Sequence, residues 1–503
     1  MSNFTSEQNA IINAPFAKGT VTHINAFAGC GKTYTAKGVA EQYMADHAGS
    51  KILVMLFNKK NQVEASEKFG PLAQCRTSHS MAWHKGSQYQ RAGQLGDNSL
   101  TSIVGSRGIN LLFPNTERND LFNYADVIQH TVRNFMLSGD LTMELAKVPS
   151  KFSLDQNFGV EFSTDAETES FRSKVLKCAK GYWNAMVDLS RTDVKLPSDG
   201  YIKLFQLDQC QLGFDLILFD EAQDANGATL AILANQKNTA IVMIGDAHQA
   251  IYQFRGADNA FGRLPASEGQ TYSLSESFRF GAEIAKSASV ILSGFKGESL
   301  SVKGYKEGDS ISNALPEGAK HTILSRTNTG VFESAINALS NGLEVHIVGG
   351  SKGLKFNEIE DALYLSLQQP NKIKEKMVRD FHFNGGYDAF VEEMELSKDA
   401  NYGRAIKMVE NYGSELLGMI KEVKECSVEE CDADVVLSTG HKSKGMEWEN
   451  VILADDFPSF FDKEGDRRAD LSDAMVNLLY VMATRAESRL VPNTCLLEIL
   501  GQN

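Results

Sequence analysis

Cysteine and proline are sparse: seven and 10 in 503 residues, the cysteines scattered and never spaced as C-x-x-C. That pattern argues against a disulfide framework and the common zinc signatures, and it points to a reducing compartment. No apolar run approaches the roughly 18 residues of a membrane span. The opening MSNFTSEQNAIINAPF lacks the basic-then-apolar order of a signal peptide. An excess of positive charge is missing too, since 64 acidic residues outnumber 50 basic ones for a formal net charge of −14. Coating of nucleic acid through bulk charge is thereby excluded, while a local basic groove is not. The chain also lacks low-complexity tracts and internal repeats of short period. A soluble cytoplasmic protein with no membrane partner is expected.

With 42% hydrophobic residues the chain can bury more than one core. Short β-rich runs, VTHINAF (21–27), KILVMLF (51–57), FDLILFD (214–220), TAIVMIG (239–245), HTILSR (321–326), EVHIVGG (344–350), DVVLST (434–439) and NVILADD (450–456), alternate with amphipathic helical stretches. Strands in this rhythm imply parallel sheets covered on both faces, an α/β fold. The rhythm stops twice, at 86–205 and at about 371–432, where the text turns polar and helical. Two sheet domains are expected, the first from 1–85 and 206–260 with insert 86–205, the second from 261–370 and 433–503 with insert 371–432.

Residues 24–40, INAFAGCGKTYTAKGVA, place a small-residue loop between a strand and a helix. The loop matches G-x-x-x-x-G-K-[ST], with Ala26 in the first glycine position and Gly31, Lys32 and Thr33 in register. Backbone N–H groups of Ala28, Gly29, Cys30, Gly31 and Tyr34, at a helix N-terminus, would cradle phosphate oxygens. Lys32 would reach the β and γ phosphates, and the Thr33 hydroxyl would sit on Mg²⁺. Farther on, FDLILFDEAQD ends an apolar strand on Asp220 and Glu221. Asp220 suits the Mg²⁺ shell, and Glu221 suits a base that deprotonates an attacking water.

From here the chain resembles a superfamily 1 DNA helicase of the UvrD/Rep/PcrA type. FTSEQNAII resembles the Q motif, DEAQD the metal-strand motif, and IGDAHQAIYQFRGAD the GDxxQxIYxWRGA signature of motif III. SESFRFG resembles motif IV, STGHKSKGMEWENV motif V, and LLYVMATRAES motif VI. The flavour is that of the branch containing the F-box DNA helicases. Because the chain opens directly on the Q-like motif, neither an F-box nor recruitment to a ubiquitin ligase is expected.

The resemblance implies two RecA-like domains that close on one ATP with Mg²⁺. It assigns Gln8 to the adenine edge, Phe278 to stacking on adenine, Glu447 to the vicinity of the ribose, and Gln249 to sensing the γ phosphate. Arg279 and Arg485 match the two arginine fingers. Phe57, Asn58, His79, Tyr252, Phe254, Arg255, His441 and Lys444 match positions that contact DNA, with Phe254 in place of the usual tryptophan. The partner expected is single-stranded, tailed or forked DNA, with a protein that recruits the motor to it. The resemblance further implies a monomeric motor moving 3′ to 5′, nucleoid-associated in a bacterium or phage. The alternative is a motor subunit that remodels protein–DNA complexes, stripping recombination filaments or serving phage defence, with little free unwinding. Compared with the long enzymes of this type, the insert at 371–432 is reduced and the chain ends soon after motif VI.

Overall fold

Four apolar runs of the first part form one sheet with two strands not among them, the third and the sixth in chain order: β1 (Val21–Ala26), β2 (Ile52–Leu56), β3 (Gln74–Thr77), β4 (Leu216–Phe219), β5 (Ala240–Gly245) and β6 (Thr271–Leu274). The computed structural model describes residues 4–104, 107–191, 193–252, 260–354, 356–396, 400–425 and 428–501. Strand order is β3-β2-β4-β5-β1-β6, and every pairing is parallel. β2, β4 and β5 are buried along their whole length, as strands covered on both faces must be, whereas β3 and β6 at the edges expose side chains. In a parallel sheet the loops after β1 and β4 leave from the same carboxyl edge, here with β5 between them. The fold class is thus α/β with parallel sheets, as the alternation of strand and helix patterns implies.

Between β3 and β4 the described residues contain helices and no strand, among them Arg118–Leu137, Asp165–Val187 and Ser198–Leu207. Their apolar faces join the core of the sheet, so that Phe135, Trp183 and Phe205 share one cluster with Leu53 and Met243.

The second part builds β7 (Glu276–Gly281) and β8 (Lys303–Lys306), which among the described residues pair only with each other, and then a second six-stranded sheet. Its strands are β9 (Ser310–Ile311), β10 (His321–Ser325), β11 (Val345–Ile347), β12 (Val435–Thr439), β13 (Trp448–Leu453) and β14 (Ala486–Val491). The order is β11-β12-β10-β13-β14-β9, again parallel. Helices between 356 and 425 pack with the helix Asn328–Ser340 and with β11 and β12, joining Phe332, Leu363, Phe390, Ile420 and Leu437 in one core. By contacts the chain divides into two compact units, Met1–Phe27 with Gly31–Leu274 and Ala28–Cys30 with Ser275–Asn503. Among the described residues no helix is long and apolar enough to cross a membrane.

The helical segment of the first unit is tied down by an unusual cation. Lys203 is fully buried, donates to the Ser138 carbonyl at 2.9 Å and to the Asp140 carbonyl, and stands 4.2 Å from the Phe135 ring centroid. One helical turn on, Gln206 donates to the Gly139 carbonyl at 3.1 Å. Burial lowers the Lys203 pKa from 10.5 to about 8, with Asp140 opposing. A folded-state pKa below the unfolded one means that the unfolded chain holds this proton more tightly, so stability rises with pH between about 8 and 10.5. Lys203→Met should flatten that rise. Urea unfolding of parent and variant across this window measures it, and equal slopes would show that the buried ammonium does not carry the effect.

Candidate active site

The loop after β1 turns on two left-handed glycines, Gly29 (φ 76) and Gly31 (φ 72), a backbone that glycine adopts without penalty. Gly31 caps the helix Lys32–Asp46, whose first turn carries no acidic residue. Such a helix N-terminus presents unpaired N–H groups and positive partial charge to an anion. Ala28 and Cys30 are buried, and the Ala28 N–H, expected to face phosphate, donates instead to the Tyr480 hydroxyl at 3.1 Å; Tyr34 is exposed with its ring 4.9 Å from that of Phe4. Gln8 is buried in a capping box, its Oε1 accepting from the Thr5 N–H at 3.0 Å and its Nε2 donating to Thr35 Oγ1 at 3.2 Å. An amide has two donors and two lone pairs, so one of each is left for a base edge.

At the end of β4 the chain makes a tight left-handed turn. Glu221 has φ 54 and ψ 40, a conformation that costs a residue with a full side chain of order 1–3 kcal/mol. The turn sets Glu221 Oε1 3.5 Å from Lys32 Nζ, and Oε2 accepts from Gln223 Nε2 at 2.5 Å. Gln223 Oε1 in turn accepts from the Asp246 N–H at 3.1 Å, and Asp246 Oδ2 accepts from Gln249 Nε2 at 2.7 Å. Gln223, Asp246 and Gln249 are all buried. A line of polar groups thus joins Glu221, after β4, to Gln249, after β5. It depends on Gly245, where a Cβ would lie 2.1 Å from Gln223 Oε1. Gln223 was missed by sequence reasoning, although the glutamine two residues beyond Glu221 and the glycine closing β5 were both in view.

Asp220 is buried beside this line and accepts from the Glu221 N–H at 2.9 Å. Burial first, and then the Glu221 charge, hold its carboxyl above the usual range, while Lys32 and a hydrogen bond from Thr33 act in the other direction. A buried carboxylate in this condition is one that a cation would reionise. Among the described residues no group of three or more His, Cys, Asp and Glu could hold a metal ion. Thr33 and Asp220 nevertheless fit Mg²⁺, which is held by one or two protein oxygens together with water and substrate phosphates.

In the second unit, residues far apart in sequence converge on Arg279. Its Nε lies 2.7 Å from Glu447 Oε2, and its Nη1 donates to the Thr484 carbonyl at 2.9 Å. The neighbouring Arg485 is 1% exposed, its guanidinium donating to the carbonyls of Val481 (2.9 Å) and Met446 (3.1 Å) and to Thr484 Oγ1 (3.3 Å). Segments around 279, 447 and 485 are thereby locked together, with Arg485 as the buried member and Arg279 nearer the surface. Phe278 is half-buried beside it.

Of the residues expected to meet DNA, Phe57 and Tyr252 are brought together, their rings stacked at 5.5 Å and 14°. Asn58 caps the helix Lys59–Phe69, its Oδ1 accepting from the Asn61 N–H at 2.8 Å. His79 Nδ1 is 2.8 Å from the Tyr201 hydroxyl, and burial lowers the pKa of the ring, with Asp199 opposing. His441 and Lys444 lie half-buried in the turn after β12. Phe254 and Arg255 lie outside the described residues.

Residues 4–262 match the UvrD/REP helicase N-terminal domain, and residues 434–491 match the UvrD-like helicase C-terminal domain. Similar proteins include F-box DNA helicase 1 of Gallus gallus, 31% identical over 521 residues that cover 99% of this chain and 50% of that protein. F-box DNA helicase protein 1 of Schizosaccharomyces pombe is 30% identical over 529 residues, covering 97% of this chain and 57% of that protein. The chain therefore spans about half the length of these relatives. With the N-terminal match alone extending over more than half of its residues, the chain belongs to the UvrD/Rep helicase family.

Proposed function

We propose that the chain is an ATP-driven motor that moves 3′ to 5′ along single-stranded DNA and separates strands on tailed or forked DNA. The observation that carries the ATP-driven motor is the set Lys32, Asp220, Glu221, Gln223 and Gln249 on the carboxyl edge of the first sheet, facing a helix N-terminus suited to phosphate, while the DNA substrate and the polarity follow the family resemblance. ATP is the substrate. Lys32 holds the β and γ phosphates, and the N–H groups of residues 29–34 surround them. Thr33 and Asp220 would hold Mg²⁺, which would supply charge neutralisation on the phosphate oxygens. Glu221 takes the proton of the attacking water, and Gln223 fixes the carboxylate for that transfer. Arg279 and Arg485 offset charge on the transferred phosphoryl group, Phe278 stacks on adenine, Gln8 reads the adenine edge, and Glu447 lies near the ribose.

Coupling to DNA is supported by position. Gln249, which senses the γ phosphate, stands three residues before Tyr252 on the segment leaving β5, and Tyr252 stacks on Phe57. Every base has a π face, so an aromatic platform grips a strand of any sequence. The other DNA contacts assigned here, Asn58, His79, Phe254, Arg255, His441 and Lys444, follow the resemblance alone.

Glu221→Gln should bind ATP and DNA while losing hydrolysis by about 10²–10⁴-fold, the usual loss when a general base is removed. Gln223→Leu should lower kcat by a smaller factor, about 10- to 100-fold for one hydrogen bond to a charged group, with KM for ATP little changed. Steady-state ATPase assays with saturating single-stranded DNA decide both. Full turnover in the Glu221 variant would remove it from the base role.

A pH titration tests the metal assignment. Because Asp220 titrates above the ordinary carboxylate range, lowering the pH through about 6 protonates it, and a cation must then displace a proton. Affinity for Mg²⁺-nucleotide should therefore fall over that interval, and Asp220→Asn should bind weakly with a flatter profile. A profile of the same steepness in the variant would assign the titration elsewhere.

Direction is tested by unwinding of duplexes that carry either a 3′ or a 5′ single-stranded tail. Only the 3′-tailed substrate should open, and preference for the 5′ tail would reverse the polarity.

A further inference from the structure

β7 carries Phe278 and Arg279, and its pairing with β8 is irregular. Glu276 lies opposite Lys303 and Ser277 opposite Gly304, yet the next partners are Gly281 and Lys306. Phe278, Arg279 and Phe280 together thus face one residue of β8, Tyr305. Extra residues on one strand bend it and re-aim its side chains, a device common beside active sites. Here Phe280 enters the core, whereas Phe278 and Arg279 remain half-buried.

Arg279 is fixed by Glu447 and Thr484. Phe278 is met by Tyr305, with ring centroids 5.2 Å apart and planes inclined at 54°. The close passage of β8 requires Gly304, where a Cβ would lie 2.0 Å from the Gly281 carbonyl oxygen. Tyr305 is 64% exposed, so core packing is not what its ring contributes. Its position, opposite the bulge and against the half-buried ring, is what distinguishes it.

We infer that Tyr305 is a positioning residue for purine nucleotide binding. It braces the Phe278 ring from one side and leaves a face of that ring to the base, which makes β8, a strand outside every helicase motif quoted above, part of the ATP site. The inference rests on the adenine-stacking role proposed for Phe278. A phenyl ring on a bulge rotates about its side-chain torsions, and an inclined aromatic neighbour restricts that rotation. The energy of one aromatic pair corresponds to a change in affinity of about 2- to 12-fold.

The test uses the full chain with saturating single-stranded DNA and ATP as the varied substrate, together with direct binding of a fluorescent adenine nucleotide. Since Tyr305 is exposed, its variants should fold, and thermal unfolding checks this. Tyr305→Ala should raise KM for ATP and the nucleotide dissociation constant by about 3- to 10-fold while kcat changes much less. Tyr305→Phe, which keeps the ring and loses the hydroxyl, should bind like the parent. Phe278→Ala should weaken binding at least as much as Tyr305→Ala, and the double variant should be no weaker than Phe278→Ala alone, because Tyr305 acts through Phe278. If Tyr305→Ala binds like the parent while Phe278→Ala does not, the bracing role is overturned and base stacking stands. Additive losses would likewise overturn the bracing role. If Phe278→Ala itself leaves nucleotide binding unchanged, the stacking role falls, and the inference with it.

Discussion

A carboxylate within 3.5 Å of the lysine proposed to hold phosphate is a conflict that only fixed geometry resolves, and the left-handed turn at Glu221 supplies that geometry. In an ordinary right-handed turn the Glu221 side chain would leave β4 in another direction, away from Lys32 Nζ at 3.5 Å and from Gln223. The strained backbone is over-determined by its surroundings: the Asp220 carboxylate accepts the Glu221 N–H, Gln223 holds the side chain, and Asp246 holds Gln223. Strain of this kind persists only where neighbours enforce it.

The two sheets treat the helix N-terminus in opposite ways. After β1 the N–H groups of the helix Lys32–Asp46 meet no acidic residue in its first turn. After β10 the corresponding place is closed by Asp456, whose carboxylate accepts from the N–H groups of Arg326 and Thr327, both at 2.8 Å, and from Thr327 Oγ1 at 3.0 Å. A Cβ on Gly330 would come within 2.5 Å of the same carboxylate. The second sheet thus carries its own anion where the first leaves room for a phosphate. On the function proposed here, that difference is why only the first sheet would take the nucleotide phosphates.

Legibility in the sequence tracked the range of the interactions. Apolar runs covered on both faces, such as ILVML and AIVMIG, announce buried strands because burial acts residue by residue, and the strand–loop–helix order around Lys32 is local as well. Gln223 escaped notice because its role exists only when β4 and β5 are adjacent and Gly245 makes room. The tie of Arg279 to Glu447 spans 168 positions, and no periodicity encodes it. Motif resemblance brought both residues into view without the bond between them. For Asn58 and His79 the structure adds local partners, a helix cap and a tyrosine hydroxyl, that a motif match does not reveal.

A net charge of −14 bears on how such a motor would hold a polyanion. Long-range attraction to phosphate is weak for an acidic chain, so retention of the strand falls to short-range contacts, of which base stacking is the least sensitive to salt. On the function proposed here that contact is the Phe57–Tyr252 platform, and one side of it stands on the segment that carries Gln249. The same segment begins at Asp246, which is bonded to Gln223 and through it to Glu221. A change in the phosphate that moves Gln249 therefore has few intervening bonds in which to dissipate before it reaches a stacked base. Weak electrostatic grip and a short polar line complement each other, because a strand held mainly by stacking can be released by a small rotation of one ring.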